Sequence, residues 1–193
     1  MTARQTHRPK GRSMSEASKS RQRLTGALVY ATLAVLLVFM QLLPLSSVPR
    51  SWTGPDILLG LTLVWATRRP DFLPVGLVII VFFGADLLLQ RPPGLMAALI
   101  VVATEALRAR SPALRDAPFV FEWLYVAIAI VGITVLNRAV LSMMMVPSPP
   151  ASLNFIQMVM TIATYPILVL TAHFGFGLYR PAPGEVDSHG QRL

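Results

Sequence analysis

The groups able to carry a reaction or hold an ion are few: nine carboxylates, three histidines and no cysteine in 193 residues. Without cysteine there are no disulfides and no thiolate metal ligands. His7, His173 and His189 are scattered, two of them in polar terminal stretches, so no H-E-x-x-H pair or comparable ligand spacing exists. A serine nucleophile would need a sharp elbow on a span with a base beside it, and no span carries one. Aspartyl chemistry needs two carboxylates sharing one proton. Asp56 and Asp86 are the pair that could approach, but their surroundings add nothing to that reading. Glu105 and Arg108 stand three apart, the spacing of a helical ion pair and a structural role. An enzyme is not expected, nor a cofactor or a metal.

The elements that position these groups are apolar blocks. The chain is 54% hydrophobic and 13% charged, with a mean hydropathy of +0.59, against roughly 45–50% and 25% in soluble domains. Its blocks run too long without a polar face to be the core helices of a water-soluble fold. Six are expected as membrane helices: 24–43, 55–67, 72–90, 94–107, 119–141 and 153–179. The first is an uncleaved anchor rather than a signal peptide, because its 20 apolar or small residues exceed the roughly 7–15 of a signal core and lead into Pro44 and SSVPR. The second and fourth give only about 20 Å of helix against a hydrocarbon core of about 30 Å. They must recruit flanking residues or lie inside a bundle where the bilayer thins. The fold class is therefore all-α and membrane-embedded. Residues 1–23 form a basic, disordered cytoplasmic tail, 24–179 one transmembrane domain, and 180–193 a cytoplasmic C-terminal tail.

Charge orients the layout. A net charge of +8 could suggest nucleic acid, but no zinc spacing, helix-turn-helix pattern or aromatic-studded basic strand accompanies it. Seven of the seventeen Lys and Arg precede the first span, where they act as a topology signal and as a surface for anionic membrane lipids. With the N-terminus inside, fourteen fall on cytoplasmic segments, only Arg50 and Arg91 fall outside, and Arg138 lies within the fifth span. Both termini and the loops at 68–71 and 108–118 are then cytoplasmic, and the loops at 44–54 and 142–152 are periplasmic.

Ionisable residues at membrane depth cost about 2.5–3.5 kcal/mol each on insertion scales, so each requires a partner or a purpose. Depth arithmetic places Asp86 and Arg138 in the same outer layer. Either the two charges pair, or Arg138 reaches the headgroups while Asp86 faces water at the rim. Pro55 and Asp56 open the second span, with Pro suited to the first helical turn and Asp to the exposed N–H groups. Glu122 is expected at the cytoplasmic interface beside Trp123 and Tyr125 of an aromatic belt. His173 is expected as a hydrogen-bonded packing residue. Ala27 with Ala31, and Gly76 with Gly84, would let a partner helix approach.

From Pro55 to about Arg115 the chain resembles the MreD family of bacterial rod shape-determining membrane proteins. The residues that carry this are PDILLGLTLVW (Pro55 to Trp65) and GLVIIVFFGADLLLQRPPG (Gly76 to Gly94), with Asp86 followed eight positions later by Gly94. Pro166 in the last span, the basic tail and the size also fit. The chain departs from the family where Phe82 stands four before Asp86, a place often taken by a small residue, with Gly84 two before instead. The resemblance implies a non-enzymatic scaffold of the elongation machinery in the bacterial inner membrane. It would bind an MreC-like periplasmic protein and through it link an MreB-like actin filament to a RodA-type glycosyltransferase and its class B transpeptidase. It also implies a fold similar to the substrate-binding membrane subunits of energy-coupling factor transporters, so a vitamin-type carrier subunit is the second reading. Pro55, Asp56, Gly76, Asp86, Gly94, Arg138 and Pro166 are the family-motif or partner-binding candidates. For the topology, a cysteine introduced at Ser148 is expected to react with an impermeant thiol reagent in the periplasm. Reaction only after the inner membrane is opened would overturn the layout.

Overall fold

A computed structural model describes residues 10–43, 53–115, 117–146 and 150–176. The described residues contain no strand. They form α1 (Lys10–Leu42), α2 (Ile57–Arg68), a 3-10 turn (Pro70–Phe72), α3 (Val75–Leu88), α4 (Leu95–Arg115), α5 (Phe119–Met143) and α6 (Ala151–Phe176). Three helical stretches, Ser20–Leu42, Phe119–Met143 and Ala151–Phe174, are long and apolar enough to cross a membrane.

Two boundaries differ from expectation. Helix α1 begins at Lys10, so the later part of the basic segment read as disordered is helical. Its Lys, Arg, Glu, Gln and Ala residues are good helix formers, and extending a helix already nucleated by the apolar run costs little. Residues 1–9 lie outside the described residues. Helix α4 continues to Arg115, through much of the segment read as a loop, because Ala106 to Arg110 are again strong helix formers. This is how the short fourth block gains length.

The short second block takes the other route, and the fold is arranged around it. At 12 residues α2 is about 18 Å long. Every residue from Leu58 to Thr67 is buried, as expected of a helix that is apolar all round. Helices α4 and α6 pack most closely on it, and α1 also touches it. Shielded from lipid, α2 has no need to match the bilayer thickness.

Helix α1 docks through Tyr30, Ala34 and Val38, a buried stripe at four-residue spacing. The Tyr30 hydroxyl lies 3.0 Å from Thr62 Oγ1, and its ring tilts against Trp65 with centroids 6.0 Å apart. The opposite face of α1, including Leu28, Val35 and Phe39, is exposed, as are Ile80 of α3, Val102 of α4 and Ile128 of α5. That much outward apolar surface suits lipid rather than water.

Two glycines set close approaches. A methyl group at Gly26 would stand 2.5 Å from Phe72 Cγ and 2.9 Å from its Cβ, so α1 sits directly on the 3-10 turn. A methyl at Gly60 would meet only Leu168 Cδ1 at 2.5 Å, the free end of a flexible side chain. The two substitutions should therefore part. Gly26→Ala is expected to destabilise by about 1–3 kcal/mol, because a ring anchored at its Cβ cannot swing aside. Gly60→Ala is expected to be near neutral, since Leu168 can rotate and Ala is favoured over Gly in a helix by roughly 0.5–1 kcal/mol. Thermal unfolding of the two variants in detergent checks this, and equal losses would refute it.

Candidate functional site

Helix ends carry partial charges, negative at the C-terminus and positive at the N-terminus, so a cation is favoured at the first and an anion at the second. Arg68 occupies the last turn of α2 and Glu122 the first turn of α5. The fold brings these two ends together. Arg68 Nε donates to Glu122 Oε1 at 3.1 Å and Nη2 donates to Oε2 at 3.3 Å, a two-pronged charge-assisted contact. Glu122 is fully buried, which corrects the expectation that it faces the interface. A buried carboxylate must be satisfied on every side. The Tyr165 hydroxyl on α6 donates to Oε1 at 2.8 Å, and Thr67 Oγ1 on α2 lies 3.4 Å from the same oxygen, its one proton shared with the Leu63 carbonyl at 2.9 Å. Thr67 and Tyr165 also lie 3.2 Å apart. One carboxylate thus collects donors from α2 and α6 while standing on α5.

Next to Tyr165 is Pro166, which has no N–H to offer the carbonyl four residues back. That carbonyl belongs to Ile162, and Trp123 Nε1 donates to it at 3.0 Å. Trp123 is therefore a bridge from α5 to α6, and it satisfies the backbone group freed by the proline. Tyr125 does sit partly exposed, with the Arg110 guanidinium 5.7 Å from its ring centroid.

Asp86 is also fully buried. Its Oδ2 accepts the N–H groups of Gly94 at 3.1 Å and Ala97 at 3.3 Å. These are unsatisfied donors at the start of α4, so Asp86 on α3 caps its neighbour. Gly94 has φ +85, a left-handed conformation that favours glycine. No ion pair joins Asp86 to Arg138 among the described residues, whichever depth they share. The physical reason is lateral, because α4 packs on both α3 and α5 and stands between them.

Asp56 is the N-cap of α2, its Oδ1 accepting from Leu59 N at 3.0 Å, while its own N–H donates to Thr161 Oγ1 on α6 at 2.9 Å. Pro55 precedes the cap rather than occupying the first helical turn. Glu105 and Arg108 pair at 2.7 Å as their spacing predicts. Arg108 also donates to the carbonyl of Leu73, tying α4 to the turn before α3. Gly76 and Gly84 face open space. His173 is exposed and meets Phe174 edge-on, with ring centroids 5.2 Å apart, so its expected packing role is not seen.

Comparison with protein-family models, with curated proteins and with solved structures finds no match. The cluster around Glu122 was not anticipated from the sequence, where Arg68 reads as part of a polar turn 54 positions away. Both charges border apolar blocks at the same end, which narrows the partners but does not choose one.

Removing one member of a buried pair leaves the other charge uncompensated and costs about 3–5 kcal/mol, whereas replacing both with apolar groups is often neutral. Glu122→Gln is therefore expected to destabilise the protein strongly. The double change Glu122→Leu with Arg68→Met should recover most of the loss in chemical unfolding. A double variant no more stable than Glu122→Gln would mean that the pair does not act as one unit.

Proposed function

We propose that the chain is a non-enzymatic membrane scaffold of the MreD type. In this reading it crosses the bacterial inner membrane about six times with both termini in the cytoplasm. It holds an MreC-like periplasmic protein in register with an MreB-like filament and the RodA-type and transpeptidase synthases of the elongation machinery. The observation that carries this reading is what the carboxylates are used for. Asp56 caps α2, Asp86 caps α4, Glu105 pairs with Arg108, Glu122 joins α2, α5 and α6, and Asp71 lies 3.6 Å from Arg23 of α1. Asp86, Glu122 and Asp71 link separate elements while Asp56 and Glu105 serve their own helices, so the carboxylates are used structurally, as suits a protein that works by presenting a helical surface.

The orientation has its own support. Arg23 reaches Asp71, Arg68 reaches Glu122, Arg69 lies over Phe72, Arg108 reaches Leu73 and Arg110 lies over Tyr125. One end of the bundle thus gathers arginines from several separate segments, the pattern of a cytoplasmic face. The resemblance in Pro55 to Trp65 and Gly76 to Gly94 supplies the family. The second reading, a substrate-binding subunit similar to those of energy-coupling factor transporters, draws on a polar cavity at the opposite end.

Depletion in a rod-shaped host is expected to round the cells, and the chain is expected to co-purify with the MreC-like protein. Cells that stay rod-shaped while uptake of a small molecule falls would overturn the scaffold in favour of the carrier.

A further inference from the structure

At the Asp56 end the central helix and its neighbours leave a cavity of about 70 Å³ between α2, α4, α5 and α6. That is far below the roughly 300–1,000 Å³ of a site for a drug-sized molecule, yet ample for a polar group of a few heavy atoms. The lining is chemically mixed. Asp56, Asn137, Asn154 and Gln157 are among its polar residues, and Met96 and Met158 are among its apolar ones.

The polar lining is under-used by the protein. Asp56 accepts from Leu59 through Oδ1, forms no ion pair among the described residues, and keeps Oδ2 for another donor. The side-chain amides of Asn137, Asn154 and Gln157 make no hydrogen bond to the protein among the described residues. No Lys or Arg lines the cavity. The first turns of α2, α4 and α6 bring partial positive charge to the same end, but the full charge of the Asp56 carboxylate, with amide oxygens able to turn toward the cavity, favours a cation that donates several hydrogen bonds. Thioether walls oppose a bare hard metal ion, which asks for oxygen on all sides. The cavity also has no aromatic lining, which a quaternary ammonium would use. What remains is a primary ammonium whose alkyl stem lies against the methionines.

We propose that this cavity binds a primary ammonium group on a short alkyl stem, carried by an ethanolamine lipid headgroup or by a small soluble amine. The proposal does not rest on the scaffold reading. Only the lipid source draws on the orientation, which would put the cavity in the outer leaflet.

The test uses the full chain in phosphatidylcholine nanodiscs. n-Butylammonium is titrated by ligand-observed NMR and short-chain phosphatidylethanolamine by native mass spectrometry, each beside its N-trimethyl counterpart. At least one primary amine is expected to bind saturably, about tenfold or more tighter than its trimethyl form, because methylation removes the charge-assisted donors. Which of the two binds identifies the source. Asp56→Asn keeps a good N-cap but removes the charge, so it should weaken binding by about tenfold while the protein stays folded. Equal binding of primary and trimethyl forms by the unaltered protein would overturn the proposal, and that comparison needs no variant to fold. Saturable binding of sodium alone, no binding of either amine, or an Asp56→Asn variant that binds as well as the parent would also overturn it. None of these outcomes bears on cell shape, so the scaffold reading stands or falls separately.

Discussion

Arg68 and Glu122 meet where the C-terminus of α2 faces the N-terminus of α5, and much of the architecture is organised by that contact. Two buried charges in a medium of low dielectric hold each other firmly, but only if every remaining lone pair has a donor. Tyr165 provides such a donor to Oε1, which brings α6 to the same point. The central helix is therefore fixed at one end by electrostatics that no lipid-facing residue could supply. Apolar packing among helices in a bilayer has no hydrophobic drive behind it, so a polar anchor of this kind specifies which helices are neighbours.

The same constraint acts on the backbone. Inside a membrane every N–H and C=O must find a partner within the protein. A helix as short as α2 and a proline as deep as Pro166 would each leave orphans. Asp56 and Thr161 engage backbone N–H groups at the start of α2. Asp86 reaches across from α3 to the start of α4. Trp123 fills the vacancy behind Pro166. In each case a side chain on one element satisfies a backbone or neighbouring group on another, so local backbone completion doubles as tertiary structure.

This economy bears on function. The ion pairs of Glu122, Glu105 and Asp71 lie at the Arg68 end, where the arginines gather. At the Asp56 end the amides of Asn137, Asn154 and Gln157 are not drawn into the framework, and a small polar space remains among them. A basic end tied by ion pairs and an unfilled polar end are the two features any account of what this chain assembles with must accommodate.

Hydropathy alone marks the helices, because a helix in lipid must be apolar over its whole circumference, and α2, α3, α5 and α6 begin and end within a few residues of the apolar blocks. The pairing of Glu105 with Arg108 was legible for the same local reason, since spacing along one helix is readable along the chain. The basic asymmetry likewise needs only sequence, because it counts charges between blocks. Tertiary structure decided everything that depends on which helix lies beside which. Depth along each helix put Asp86 level with Arg138, but α4 stands between their helices, and Asp86 caps α4 instead. Glu122 read as an interfacial residue from its neighbours in sequence, and became buried because α2 delivers Arg68 and α6 delivers Tyr165 to it. Spacing along the chain gives height in the bundle, whereas lateral order comes from packing, and it is lateral order that selects partners for charged side chains.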